Sequence, residues 1–352
     1  MKSTILAIAK MLVFLAVGLT ILWLLYNNLN VKFIAECALK GIPESECSLL
    51  DKLYQDLRSA NVFWLVIICI CFFISNLSRA TRWQQLLASL GYQTRWANSF
   101  HCVMIGYFAN LGFPRIGEVV RAGTFSKYEN VPFEKVIGTV AIDRILDVIC
   151  FGIVFLLALL FQFDLLGSYI IENAQLDLGK LLNNSIAITL LAVIAIGLVL
   201  AWYYRSRLAK ISLLRKVMSM LKGFLEGLRS LRNVEKISLL IFYSILIWVM
   251  YFLMTFLCFK SFEPTAHLGV DAGLLIFVFG SLGMIIPTPG GMGSYHALVM
   301  AGLALYGINQ NDAFSFAMII FFTINIFGNV LFGLIALFLL PGYNRSYQPA
   351  RA

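Results

Sequence analysis

The chain has 352 residues, of which 60% are hydrophobic and 13% charged, with a formal net charge of +9. Soluble domains carry about 25% charged and 45–50% apolar residues, so a water-soluble domain built on one core is excluded. The apolar runs are continuous and do not alternate with period two, which argues against a lipid-facing barrel. The Lys and Arg residues fall between apolar runs, the topology signal of membrane proteins and not the footprint of nucleic-acid binding, and such basic connections suit anionic lipid headgroups.

A bilayer span needs about 20 mostly apolar residues. The first is expected at 5–26, too long for the core of a signal peptide and read as an uncleaved span. A polar connection, 27–60, follows and holds Cys37 and Cys47, which either form a disulfide, if they face an oxidising compartment, or remain free thiols. The other five cysteines lie in apolar runs, where a small hydrophobe is the simplest reading. A second span is expected at 61–77, then a basic amphipathic stretch over 78–96, then a weaker apolar run over 98–113 that stops at Phe113-Pro114. Further spans are expected at 143–163, 183–204, 237–259 and 313–340. The segment 205–236 is the most basic in the chain, and two short apolar runs, 272–286 and 294–307, flank the break PTPGGMG.

The basic stretches 78–96, 114–135 and 205–236 are expected to be cytoplasmic, and 27–60 and 164–182 to face outward. That parity requires 98–125 and 272–307 each to enter and leave on one side, as re-entrant or broken helix pairs. The expected architecture is therefore an all-α polytopic membrane protein, one integral domain over 1–352. It has about six full spans plus two such pairs, and both termini are cytoplasmic. One interrupted segment per half is the pattern of inverted-repeat transporters, whose sites form where half-helices meet. The alternative is two unrelated kinks, since the halves share no sequence similarity.

Three clusters carry candidate chemistry. In NLGFPRIGEVVRAG, Asn110 and Pro114 precede Glu118 and Arg121, which lie three apart on one helix face. The pair is either a headgroup or proton site, or an ion pair at the interface. In AIDRILDV, Asp143 and Asp147 lie four apart and need cations between them. Arg79, Arg82, Arg121 and Arg144 are the available ones, and such a network either binds a phosphodiester through arginine or clamps two helices. In PTPGGMGSYH, Pro289, Gly290, Gly291 and Gly293 break the helix before His296. The helix start that follows is either an anion site or a simple breaker. Asn325 and Asn329, four apart in the last span, serve as packing or line a cavity. No zincin, CxxC, Walker, GxSxG or dinucleotide fingerprint is present, and with three histidines neither a metal site nor a cofactor is expected.

Arg82-Trp83-x-x-Leu86-Leu87, Asn110, Pro114, Gly117-Glu118, Arg121, Asp143-Arg144-x-x-Asp147 and Pro289-Gly290-Gly291-x-Gly293, in this order, resemble the lysylphosphatidylglycerol synthase transmembrane-region family. That family includes the flippase-like membrane part of the multiple peptide resistance factor. The resemblance covers about 60–340. It implies a lipid flippase-like module without the cytosolic lysyl-transferring domain. The family often has Glu at the positions of Asp143 and His296. The expectation is a non-enzymatic transporter of an anionic, aminoacylated or sugar-linked lipid in a bacterial-type inner membrane. Its partners would be membrane lipids and possible separate synthases or glycosyltransferases. The rival readings are a membrane subunit or enzyme acting on a lipid-linked substrate, and a scaffold for a separate synthase.

Overall fold

The structure is a computed structural model that describes residues 2–39, 41, 43, 47–113, 115–162 and 234–349, with backbone alone for 2–15. Every regular element among the described residues is helical. The chain divides into two compact units, Met1–Ala158 with Val234–Ala352, and Leu159–Asn233. The expected loop 164–182, the span 183–204 and nearly all of the basic segment 205–236 lie outside the described residues.

In the first unit, α1 spans Lys2–Leu39, α2 Leu49–Ser59, α3 Val62–Ala88, α4 Trp96–Gly112 and α5 Gly117–Glu129, and α6, Phe133–Phe161, belongs to it up to Ala158. After the second unit come α7, Ile237–Ser261; α8, Val270–Ile285; α9, Ser294–Ala304; and α10, Gln310–Phe321. A π-helical segment, Phe322–Gly328, joins α10 to α11, Asn329–Tyr343. Val62–Ala88, Phe133–Phe161, Ile237–Ser261 and the continuous stretch Gln310–Tyr343 are long and apolar enough to cross a bilayer. The core lies between α3, α7, α8, α9 and α10, where Phe72, Phe259, Ile276, Val299 and Phe316 pack together.

Two helical pairs are shorter than a span. At 1.5 Å per residue, the 17 residues of α4 cover about 25 Å and the 11 of α9 about 16 Å. α4 folds back on α5, and α8 on α9, as expected for 98–125 and 272–307. Small residues set the first pair's spacing. A Cβ on Gly117 would collide with the carbonyl of Gly106, so the two backbones touch at a distance only glycine allows. The tips of the two pairs meet. Arg115 Nη2 donates to the Ile285 carbonyl at 2.9 Å, and a Cβ on Gly290 would stand 3.1 Å from Leu111.

Two expected boundaries are corrected. The stretch 78–96 is not a surface amphipathic segment up to Ala88, because α3 continues unbroken to that residue and buries Arg79 and Arg82 at 1% and 0% exposure. Their charges are matched inside the bundle, so the helix need not end where its apolar run ends. Likewise 27–60 is not an open polar loop. α1 continues through Leu39 because Leu29 and Phe33 extend its apolar face. α2 then lays Leu49 and Leu53, four apart, against Leu29 and Phe314. The Ser48 hydroxyl accepts the Asp51 N–H at 3.2 Å and starts that helix.

This cap is fastened twice. Cys37 and Cys47 form a disulfide with their Cα atoms 6.3 Å apart. Lys52 Nζ donates to Asp56 at 2.6 Å and to Asp312 at 2.8 Å, tying α2 to α10. Burial alone would lower the Lys52 ammonium, but its hydrogen bonds to Asp312 and Asp56 outweigh burial and hold it above the ordinary lysine value. Elsewhere in the first unit, buried Glu129 accepts from the Arg95 N–H at 3.0 Å and the Tyr347 hydroxyl at 2.9 Å. Burial, then the hydrogen bond to Glu129, pushes the Tyr347 phenol up to about 12, so it stays a donor at neutral pH.

The double change Cys37→Ser, Cys47→Ser opens a short loop and is expected to cost about 2–3 kcal/mol, measured as a lower Tm of the detergent-purified protein. Lys52→Met is expected to cost on the order of 1 kcal/mol. The Lys52 contribution is fully present below the unfolded lysine pKa and is lost only as pH rises through the raised folded one. The difference between wild type and the Lys52→Met protein should therefore persist unchanged from pH 6 to 9.

Candidate functional site: a buried arginine–carboxylate cluster beside a cavity

The cluster follows from helix spacing. Arg79 and Arg82, three apart on α3, point the same way, and Asp143 and Asp147, four apart on α6, do likewise. The two ladders interlock. Arg79 Nη1 donates to Asp147 at 2.7 Å and to Asp143 at 3.3 Å. Arg82 bridges the same pair, from Nε to Asp143 Oδ1 at 2.9 Å and from Nη2 to Asp147 Oδ1 at 2.7 Å. α5 brings in Arg121, whose Nη1 reaches Asp143 Oδ2 at 3.1 Å. Its guanidinium also lies 3.8 Å over the Trp83 ring, a contact that strengthens when water is excluded. Trp83 is itself fixed by donating to Thr139 at 2.9 Å.

Arg144 closes the edge, pairing with Glu118 at 3.1 Å and with Asp147 at 3.3 Å. Exposure rises from Asp143, at 0%, through Asp147, at 12%, to Arg144, at 37%. Four guanidiniums against three carboxylates leave one positive charge. The donors also exceed the acceptors. Arg79 Nε, Arg121 Nε and Nη2, and Arg144 Nε are buried without a hydrogen-bond partner among the described residues, as is Glu118 Oε2.

Beside this cluster lies a cavity of about 340 Å³. Arg79, Arg144 and Asp147 line it, together with Asn76, Asn325 and Asn329. Aromatic and apolar side chains, including Phe72, Trp248 and Phe277, fill the remainder. Asn329 Nδ2 donates to Asn325 Oδ1 at 3.3 Å, so the two asparagines both pack on one another and face the cavity. Trp248 Nε1 and Asn76 Oδ1 have no hydrogen-bond partner among the described residues. A chamber holding a few charged and amide groups in an otherwise apolar wall is the usual form of a small-molecule or headgroup site.

The expected site residues thus separate into groups. Arg79, Arg144 and Asp147 meet the cavity. Arg82, Arg121 and Asp143 stand behind them as a fully buried brace, and Glu118 positions Arg144. Asn110 accepts the Gly117 N–H at 2.7 Å and starts α5. The PGG turn is elsewhere: Gly18 of α1 faces Pro289, and Gly293 faces Ile21. Gly290, Gly291 and Gly293 all have positive φ, at 58°, 78° and 82°, a backbone region that favours glycine. His296 packs against Phe321, with ring centroids 4.7 Å apart, and does not line the cavity. Sequence reasoning did not identify Tyr107 and Tyr251, whose hydroxyls lie 3.2 Å apart, nor that Arg79 Nη2 donates to Tyr251 at 3.1 Å. Ser244, which accepts from Arg82 at 3.2 Å, was also not identified. Their one signal in the sequence is a hydroxyl set within an apolar run.

Asp143→Asn would leave three buried guanidiniums around a neutral amide and is expected to cost about 3–5 kcal/mol. Glu118→Gln, at the partly exposed edge, is expected to cost under about 1 kcal/mol. Thermal unfolding in detergent measures both, and equal losses would show that the charges are not organised around Asp143.

The family model for the lysylphosphatidylglycerol synthase TM region matches residues 49–343, from α2 to the end of α11 and including every member of the ion cluster. A UPF0104 membrane protein of Methanocaldococcus jannaschii is 22% identical over 281 residues, covering 75% of this chain and 81% of that protein. No solved structure matches. The chain is a multi-pass helical membrane protein and belongs to the lysylphosphatidylglycerol synthase transmembrane-region family.

Proposed function

We propose that the chain is a flippase-like transporter, without enzymatic activity of its own, that moves an anionic or other phosphate-bearing lipid headgroup through the cavity beside Arg79 and Arg144. One observation carries this reading: a net positive cluster meets, through Arg79 and Arg144, a largely apolar chamber among helices long and apolar enough to cross a bilayer. Charged groups there are expensive unless they are paired or serve a pathway, and three carboxylates do not use every donor. A phosphodiester offers oxygens that guanidinium edges bind. The partly exposed Arg144 would make first contact, Arg79 and its Tyr251 partner would hold the headgroup deeper, and the buried Asp143 brace would keep both in place. Aminoacylated and sugar-linked lipids carry the same phosphate, so the reading covers them. The basic segment 205–236 favours an orientation with both termini cytoplasmic, in a bacterial-type inner membrane.

Transport is tested by reconstituting the purified protein in liposomes with fluorescent phosphatidylglycerol and following its accessibility to an external quencher. The wild type is expected to move the lipid. Arg144→Gln is expected to slow movement by about tenfold or more, the loss of one charged hydrogen bond of about 1.5–3 kcal/mol, while leaving Tm nearly unchanged. Absence of movement by folded wild type for every anionic lipid tried would overturn the proposal. So would a covalent change in the added lipid brought about by the protein itself.

A further inference from the structure

A second hollow lies along a neighbouring face of α3. It is an apolar groove of about 890 Å³ between α3 and the π segment, open on the outer surface of the first unit. Val62, Val66, Ile70 and Phe73 form its α3 wall, and Phe322 and Ile326 its π wall. Its axis runs along one of the helices apolar and long enough to cross a bilayer. From Val62 to Phe73 that wall is about 17 Å long at helical rise, close to half of a hydrocarbon core of about 30 Å.

The groove and the charged cavity share a partition. Phe73 and Phe332 line the groove, Phe72 lines the cavity, and the Phe332 ring contacts both, with centroids 5.4 Å from Phe73 and 5.9 Å from Phe72. In the π segment, Thr323 and Ile326 face the groove while Ile324 and Asn325 between them face the cavity. Asn76 and Arg79 follow Phe73 on α3, so the cationic wall begins within about 9 Å of the end of the groove.

We infer that the groove and the cavity are two halves of one binding site for a phospholipid. An acyl chain lies in the groove along α3, and the phosphate-bearing headgroup passes the Phe72–Phe332 partition to reach Arg79. An amphiphile is the occupant whose parts match both hollows: a purely apolar ligand leaves the arginine donors unused, and a water-soluble anion leaves the groove unfilled. The seam between α3 and the π segment is then a lateral entrance from the bilayer. A π turn is a common device where a helix must open locally at a site. This inference rests on the headgroup site proposed above and assigns its cargo a route and a tail position.

The test is photolabelling in phosphatidylglycerol proteoliposomes with a phosphatidylglycerol carrying a diazirine midway along its acyl chain, followed by peptide mapping. Adducts are expected to concentrate on 62–73 and 322–332, several-fold over other exposed apolar faces such as Ile245 of α7 and Phe338 of α11. Labelling of the groove is expected to fall with Cys69→Trp or Ile326→Trp, which fill it, and to remain with Phe338→Trp. A diacylglycerol probe, which lacks the phosphate, is expected to label the groove several-fold less, and Arg144→Gln to reduce the difference. Even labelling of all apolar faces, or equal labelling by both probes, would overturn the inference. If the wild type labels as expected yet moves no lipid, the site stands and the transport reading falls. If it moves lipid while both filled variants move it equally well, the site falls and the transport reading stands.

Discussion

Everything near the cavity depends on Asp143 being held, fully buried, among Arg79, Arg82 and Arg121. An isolated carboxylate at that depth would be prohibitive, and so would three isolated guanidiniums. Together they tolerate burial because each meets an opposite charge in hydrogen-bonding geometry. The cost of desolvation explains why the arrangement involves three helices at once. α3 supplies two cations, α6 both aspartates, and α5 the third cation, so none of these helices can slide or rotate without leaving a charge exposed to apolar surroundings.

That constraint propagates outward. With Arg121 fixed by Asp143 and stacked on Trp83, α5 is placed, and through the glycine contact of Gly106 and Gly117 so is α4. The α4–α5 tip then meets the α8–α9 tip through Arg115 and the Ile285 carbonyl. On the other flank Arg79 reaches Tyr251, and Arg82 reaches Ser244, both on α7. The cavity is thus the space left between elements whose positions are set by one ion cluster. Its charged lining is supplied by Arg79, Arg144 and Asp147, members of that cluster.

Much of this was legible in residue spacing. The i,i+4 pair Asp143 and Asp147 demanded cations, and the four arginines named for that role are the four that supply them. The helix pairs at 98–125 and 272–307 followed from charge parity and from breakers inside apolar runs. Other features were less visible for physical reasons. The end of α3 was misplaced because a buried, paired arginine reads in sequence like an exposed one. The helical stretch 27–39 and α2 looked like a loop because their apolar residues are sparse, sitting on one narrow face. The π segment has no composition signature, since Phe322–Gly328 reads as ordinary span. The PGG turn attracted attention as an anion site, yet the same glycines serve equally well for close packing, which is where Gly293 against Ile21 places them.

The order of the cluster along the chain has a bearing on how such a protein is made. All seven charged members lie between Arg79 and Asp147, so they emerge from the ribosome within one contiguous stretch. By the time residue 147 is synthesised, every acid and base required for mutual neutralisation is already present, and all but one of the charges can cancel. The later hydroxyls of Ser244 and Tyr251 join a cluster whose carboxylates already have their cations. Insertion of the amino-terminal half therefore need not await the carboxyl-terminal half, even though the finished cavity takes its walls from both.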